Sequence, residues 1–482
     1  MSIAHADDVY IDGAWRPVTG GERHPVVNPA TEEVIGHVAL APTEDVDAAV
    51  AAARKAFPAF AATTVAERAA MLRGIRDRVQ QQSALFIDAM MAEMGVARSF
   101  AETAQLPFAL EHLRILAEVI ERYEFLTLNG ATATVKEPIG VCALITPWNW
   151  PLYQITAKLA PALAAGCTVV LKPSELSPLS ALLFAAAVHD AGVPPGVFNL
   201  VGGTGAVVGA ALSSHPDVDM ISITGSTRAG VLVAQAAAPT VKRVVQELGG
   251  KSPNVFLDDA DFATGVGKGV LSAFRNVGQS CSAPTRMIVP ADRLAEVEEL
   301  ARQAVAGLRV GDPRAAETTM GPIANAAQHA RVQAMIEAGR AEGAKLVCGG
   351  LGRPAHLNRG YFVQPTVFSA VTPAMRIARE EIFGPVLSIM PYRDEAEALR
   401  IANDTVYGLG SQVQSGDLGR ARRFAMGLRA GQVHINYPAW DGRAAFGGYK
   451  RSGNGREYGV HGLEEFLETK SVLGYAPDEA HS

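Results

Sequence analysis

From Gly140 onward the apolar positions come in short unbroken runs: Val141-Cys142-Ala143-Leu144-Ile145, Cys167-Thr168-Val169-Val170-Leu171, Val197-Phe198-Asn199-Leu200-Val201 and Met220-Ile221-Ser222-Ile223-Thr224. Runs this apolar leave no face for water, and helical stretches at Gln154–Ala165 and Ser180–Ala191 separate them. The alternation predicts a parallel sheet covered on both faces by helices. Upstream, residues 7–40 read as short strands and turns, with Asp12-Gly13 as a hairpin signal. The segment from Thr43 to about Tyr123 has helical periodicity and opens on Thr43-Glu44-Asp45 as a cap. Residues 125–137 and Leu467–Tyr475 alternate as exposed strands. After Asn254 strands and helices alternate again, with longer helices, which predicts a second α/β unit.

A chain of 482 residues exceeds what one core fills, so two or three domains are expected. Apolar residues make up 48% and charged residues 19% of the chain, in the range of soluble globular proteins. The net charge of −6 disfavours nucleic acid or an anionic membrane as a partner. Met1–Asp8 is polar and acidic, unlike a signal peptide. The longest apolar run, Leu159–Leu171, is too short to span a bilayer and is interrupted by Pro161 and Gly166. The four cysteines and eleven histidines show no metal-ligand spacing, so no metal is expected. A disulfide framework is not expected in so long a chain, which points to the reducing cytoplasm.

The candidate chemistry centres on Cys281, within Gly278-Gln279-Ser280-Cys281-Ser282-Ala283-Pro284-Thr285-Arg286. A cysteine thiolate attacks carbonyls well, and its proton is readily lost near neutral pH. Upstream, Glu247-Leu248-Gly249-Gly250-Lys251 offers a carboxylate that can activate the thiol or a water. The pair suggests an acyl-enzyme and leaves open whether an ester, an amide or an aldehyde is attacked. Asn149, in Pro147-Trp148-Asn149-Trp150-Pro151, is a neutral donor suited to an oxyanion, or else the satisfier of a turn. Lys172-Pro173-Ser174-Glu175 follows a strand's carboxyl end, where open α/β sheets bind ligands, although a surface ion pair reads equally well. Gly225-Ser226-Thr227-Arg228-Ala229-Gly230 follows a strand and opens a helix, one substitution from the dinucleotide fingerprint. Cys142 and Cys167 fall in apolar runs and read as core; His112, His189, His215 and His434 read as surface or satisfied core.

Taken in order, these segments resemble those of the aldehyde dehydrogenase superfamily along nearly the whole chain. Glu380-Glu381-Ile382-Phe383-Gly384-Pro385 and Phe446-Gly447-Gly448-Tyr449-Lys450 extend the likeness toward the C-terminus. The resemblance implies an α/β fold: a Rossmann-type cofactor domain (1–122 and 139–247), a catalytic α/β domain (248–449) and a small β oligomerisation element (123–138 and 467–482), with 450–466 returning to the cofactor domain. It implies a homodimer or homotetramer. It assigns catalysis to Cys281, Glu247 and Asn149, with Lys158 and Glu457 in a proton relay behind the base. It assigns the cofactor to Ile145, Trp148, Lys172, Ser174, Glu175, Gly225, Ser226, Gly230, Glu381 and Phe383. A carboxylate at Glu175 accepts from a ribose 2′-hydroxyl and repels a 2′-phosphate, so NAD is expected over NADP.

The substrate positions matched are Trp150, Tyr153, Trp440 and Phe446, an aromatic lining. Arg275, six residues before Cys281, departs from the apolar or aromatic residue expected there. Either it favours aldehydes with a distal carboxylate or it points to solvent. The activity implied is oxidation of an aldehyde to the acid through a cysteine thiohemiacetal and thioester. Rival readings are a CoA-acylating or semialdehyde-specific member of the same fold, a plain cysteine hydrolase, and a silent binding or structural relative.

Overall fold

Two large sheets carry the chain in the computed structural model, which describes residues 4–18 and 20–476. The start of the N-terminal segment read above (1–3) and residues 477–482 of the oligomerisation element lie outside the described residues. The first sheet has eight strands, in the order Gly453–Asn454, Arg243–Glu247, Met220–Thr224, Val141–Ile145, Thr168–Lys172, Phe198–Leu200, Asp8–Ile11 and Ala14–Pro17. The five from Arg243–Glu247 to Phe198–Leu200 are parallel, and every residue of Val141–Ile145, Thr168–Lys172 and Met220–Thr224 is buried. That explains the unbroken apolar runs, because both faces are covered. Antiparallel strands close the two edges.

Helices Val65–Gln81, Leu106–Ile120 and Pro151–Ala165 pack together on one face, burying Leu72, Ile75, Leu113, Leu116, Leu159 and Leu163 in one core. Helix Thr43–Ala61 buries Val46, Ala49, Val50 and Ala53 on the other face. Thr43 itself does not cap that helix. The preceding residue is Pro42, no side chain bonds the first turn, and Glu44 and Asp45 lie within that turn, where their charge favours the positive helix end. The reciprocal cap belongs to the next helix, where Thr64 and Glu67 satisfy each other's backbone. At Asp12-Gly13 both residues have positive φ, as a tight hairpin turn requires.

The order of the parallel strands places a switch in the first sheet. From Val141–Ile145 the chain moves outward one way to Phe198–Leu200, then crosses back to Met220–Thr224 on the other flank. A crevice opens at the carboxyl ends where the direction reverses, between Ile145 and Thr224. Trp148, Asn149 and Gly225 are therefore set at this crevice by topology alone.

The second sheet has seven strands, in the order Lys345–Cys348, Thr366–Ser369, Val386–Tyr392, Arg286–Pro290, Pro253–Phe256, Gly410–Gln414 and Gln432–Ile435, parallel apart from the first. A three-stranded sheet joins Leu467–Val472, Thr132–Pro138 and Leu126–Asn129. All four residues of Leu126–Asn129 are exposed on its open edge. Among the described residues no helix is long and apolar enough to cross a membrane.

Arg286, at the end of the nucleophile motif, is 1% exposed and ties the second sheet together. Its guanidinium donates to the carbonyls of Lys251 (2.8 Å), Ile401 (2.9 Å) and Ala402 (2.8 Å), the last two ending helix Glu395–Asn403. Burial without a carboxylate partner pushes its proton affinity down, to about 10. Arg286→Met keeps the apolar stem but removes a donor from three carbonyls, of which Ile401's retains the Asp404 N–H, and should cost about 3 kcal/mol. A urea-unfolding midpoint checks this; an unchanged midpoint would mean that water satisfies those carbonyls.

Candidate active site

Cys281 sits on a loop held in an unusual backbone shape. After helix Phe262–Phe274, three consecutive residues take positive φ: Asn276 (53°), Val277 (60°) and Gly278 (69°). A β-branched valine rarely adopts this conformation, so packing must hold it there. At 278 only glycine fits, since a β-carbon would lie 2.2 Å from the Gly384 carbonyl oxygen. A buried amide network fixes the rest. The Asn276 amide donates to the carbonyls of Asn149 (2.9 Å) and Gln279 (3.1 Å), and its oxygen accepts from the Gln105 amide (3.0 Å). The Asn149 amide also donates to the Gln279 carbonyl (2.9 Å), and the Gln279 side chain accepts from the Ala324 N–H (2.9 Å). Asn149 thus retains one amide N–H for a further acceptor. Trp150 Nε1 donates to Ser280 Oγ (2.9 Å), beside the nucleophile. Gln105 and Asn276 were not singled out in the sequence. Gln105 ends the π-helical turn Ala101–Gln105, a widened turn that one sequence does not reveal.

Glu247 is the last residue of strand Arg243–Glu247 and is 1% exposed, with no hydrogen-bond partner on either carboxyl oxygen. Its loop presses on the nucleophile's loop: a β-carbon at Gly250 would lie 2.3 Å from the Cys281 carbonyl oxygen. Behind it Lys158 Nζ pairs with Glu457 Oε1 at 2.6 Å and donates to Ser222 Oγ at 3.1 Å. Burial, then the negative Glu457, pushes Glu247 well above the usual carboxylate range, with Lys158 and Arg456 opposing. Cys281 is pushed up as well, first by burial, then by the charges of Glu247, Glu381 and Glu457. The expectation that this thiol loses its proton easily near neutral pH is therefore corrected. The Glu247 carboxylate, when charged, thus helps to hold the Cys281 proton on.

At the crevice Lys172 Nζ pairs with Glu175 Oε2 at 3.1 Å, and Ser174 Oγ accepts from the Leu176 N–H at 3.2 Å. Ser174 and Glu175 line a narrow cleft together with Gly202 and Gly203. Ser226 caps helix Thr227–Ala237 by accepting from the Ala229 N–H, which leaves the first turn's other donors facing outward. Gly225 N–H donates to the Glu247 carbonyl (3.0 Å), and a side chain at Gly230 would strike Leu248 at 2.7 Å. The helix is thereby seated against the Glu247 loop. Thr224 Oγ1, next to Gly225, is buried without a partner. Ile145 closes its strand and is buried. Glu381 Oε1 accepts from the Gly250 N–H (3.0 Å); burial raises this carboxyl to about 7, against the opposing charges of Lys251 and Arg331. Phe383 has φ 59° and sets its ring edge-on to Trp148, 5.4 Å between centroids.

Aromatic rings line the remaining side. Trp440 stacks on Phe108 (4.5 Å), Trp150 meets Phe100 edge-on (5.3 Å) and Tyr153 (5.3 Å), and Phe446 stacks on Tyr458 (5.0 Å). Tyr153 and Tyr458 share a hydrogen bond between hydroxyls. Phe100, Phe108, His112 and Tyr458 are additions to the sequence assignment. Phe108 and His112 are one turn apart on a single helix, but their partners lie some hundreds of residues away. His112 departs from the expected satisfied core residue: it is 1% exposed, its Nε2 has no partner, and burial pushes it down to about 3, so the ring is neutral.

The aldehyde dehydrogenase family profile matches residues 15–472. A 3-succinoylsemialdehyde-pyridine dehydrogenase from a Pseudomonas species is 54% identical over 469 residues, covering 97% of this chain and 98% of the relative. A mutant of aldehyde dehydrogenase C from Pseudomonas syringae, solved with NAD+ and octanal, is 62% identical, with TM-score 0.98 over 99% of this chain and 98% of that one. An aldehyde dehydrogenase from Bartonella henselae is 43% identical, with TM-score 0.95 over 97% of this chain and 98% of that one. The chain belongs to the aldehyde dehydrogenase family.

The thiol's electrostatics can be tested in the free protein. Glu247→Gln removes a negative charge beside Cys281, so the thiol should ionise at lower pH and iodoacetamide should modify it several-fold faster near pH 8. Alkylation rate against pH, with Cys281 followed by peptide mass, reads this. A profile that stays in place or moves to higher pH would contradict the coupling.

Proposed function

We propose that this enzyme oxidises an aldehyde to its carboxylic acid with NAD+, through a thioester on Cys281. The observation that carries the proposal is the buried, unpartnered Glu247 carboxyl, whose loop presses on the loop of Cys281 at Gly250. A carboxyl without hydrogen bonds in a dry site is costly unless it has a task in moving protons. Glu247 takes the thiol proton as Cys281 attacks the carbonyl carbon. The free N–H of Asn149 and the Cys281 backbone N–H hold the oxyanion that forms. Bound at the crevice, NAD+ would supply the two-electron acceptor for the tetrahedral carbon. A thioester remains on Cys281. Glu247 then removes a proton from the water that attacks it, and the acid departs as the thiol is restored. Lys158 and Glu457 lie behind Glu247, with Ser222 as a further hydrogen-bonding group, and offer a path for its proton to leave. A CoA-acylating enzyme needs no base for water, so Glu247 favours hydrolysis.

Several features of the crevice suit a dinucleotide: the switch of strand order, the capped helix start after Gly225, the unpartnered Thr224 hydroxyl and the cleft beside Glu175. Lys172, Ser174 and Glu175 would hold the adenosine ribose, Gly225, Ser226 and Gly230 the phosphates, and Ile145, Trp148, Glu381 and Phe383 the nicotinamide half. Glu175 favours NAD over NADP by repelling a 2′-phosphate. The NAD+ complex of the Pseudomonas syringae relative supports use of NAD. Trp150, Tyr153, Trp440 and Phe446 would line the path to Cys281. The domain division read from the sequence stands as a proposal beside this one, as does assembly into a cytoplasmic homodimer or homotetramer. The exposed edge Leu126–Asn129 needs a partner, and four free cysteines suit a reducing compartment.

NADH formation at 340 nm with an aldehyde panel tests the reading. Turnover is expected with a higher kcat/KM for NAD+ than for NADP+, is expected to vanish in Cys281→Ala, and should release free acid without CoA. Aldehyde oxidation surviving in Cys281→Ala, or a strict need for CoA, would overturn it.

A further inference from the structure

Arg275 follows helix Phe262–Phe274 at the head of the Cys281 loop; it is exposed, and its guanidinium leans on rings rather than pairing with an acid. Its Cζ lies 5.2 Å from the centroids of Phe100 and Phe108 and 5.9 Å from that of Trp150. Cation–π attraction holds the group in place while consuming none of its N–H donors. Among the described residues no carboxylate pairs with it, and Tyr153 is the one titratable group that bears on its charge. Trp150 links this cation to the reacting centre, touching Arg275 with one part of the indole and donating to Ser280, beside Cys281, with Nε1. Phe108, one of these rings, stacks on Trp440. Next to the guanidinium a cleft lined by Phe100, Thr103, Leu271, Arg275 and Asn276 opens to solvent.

An arginine in an aromatic passage imposes a selection. An alkyl tail lying across Trp150 gains burial, but an unsubstituted end must then displace water from five unpaired donors. A tail ending in a carboxylate replaces that water with a planar, two-bonded acceptor. We infer that Arg275 is a specificity-determining residue that selects aldehydes whose far end carries a carboxylate, the aliphatic middle lying against the rings. This rests on the reaction proposed above and names the substrate class of the same site. Arg275 is exposed, as the solvent-facing alternative expects, while three rings fix where its guanidinium sits.

The test compares suberic semialdehyde with octanal, which have equal chain length and differ in the distal carboxylate. The readout is the ratio of their kcat/KM values in the wild type, Arg275→Met and Arg275→Lys. Methionine fits among rings but offers no donor. The ratio is expected to fall about tenfold or more in Arg275→Met, chiefly through KM, and to fall less in Arg275→Lys, which keeps the charge without the planar fork. Added salt should lower the wild-type ratio. The same ratio in wild type and Arg275→Met would overturn the inference while aldehyde turnover left the reaction class standing. Absence of turnover with both aldehydes in the wild type would count against the reaction itself. Binding of suberate by calorimetry, tighter to wild type than to Arg275→Met, reads the carboxylate contact without turnover, and equal binding would refute it.

Discussion

The carbonyl oxygen of Cys281 occupies the space that a β-carbon at residue 250 would need. That contact brings the loop after strand Arg243–Glu247 against the loop after helix Phe262–Phe274, and so joins the two large sheets at the point of chemistry. Glycines at 249 and 250 are the condition for it, because a β-carbon at 249 would in turn strike the Glu381 carboxylate at 2.4 Å. The positive-φ run through Gly278 is the matching condition on the other loop. Two backbones that approach this closely exclude water, and dryness gives the site its electrostatics. Burial and the carboxylates brought beside it, Glu247 first, push the Cys281 thiol up.

Buried charge elsewhere follows the same constraint with opposite outcomes. Lys158 and Glu457 are paired and hydrogen-bonded, as buried ions must be. Arg286 is satisfied by three carbonyls and serves the framework. Glu247 is satisfied by nothing among the described side chains, while the exposed Arg275 leans on ring faces.

The parallel strands were legible in the sequence because a strand covered on both faces carries few polar positions; Met220–Thr224 was placed to the residue. The segments around Cys281, Glu247 and Asn149 were legible because glycines and polar residues interrupt otherwise apolar stretches there. The aromatic wall was legible only in part. Phe100, Phe108, His112 and Tyr458 occupy ordinary helical or loop positions, and their significance comes from contacts across hundreds of residues. The Gln105–Asn276 bond depends on a π-helical turn, to which local propensity is blind. The misplaced cap at Thr43 arose because Thr, Glu and Asp favour both the cap and the first turn. The thiol's reluctance to ionise could not be read at all, since it depends on burial and on carboxylates that the fold brings from residues 247, 381 and 457.

The central claim is that the reaction passes through an acyl group on Cys281 whose release needs Glu247. The most direct measurement is the intact and peptide mass of Glu247→Gln after brief mixing with octanal and NAD+, quenched in acid. An octanoyl adduct on the Cys281 peptide, accumulating in the variant and fleeting in the wild type, is the predicted result. An active variant with no adduct, or an adduct on Cys142, Cys167 or Cys348, would contradict the account.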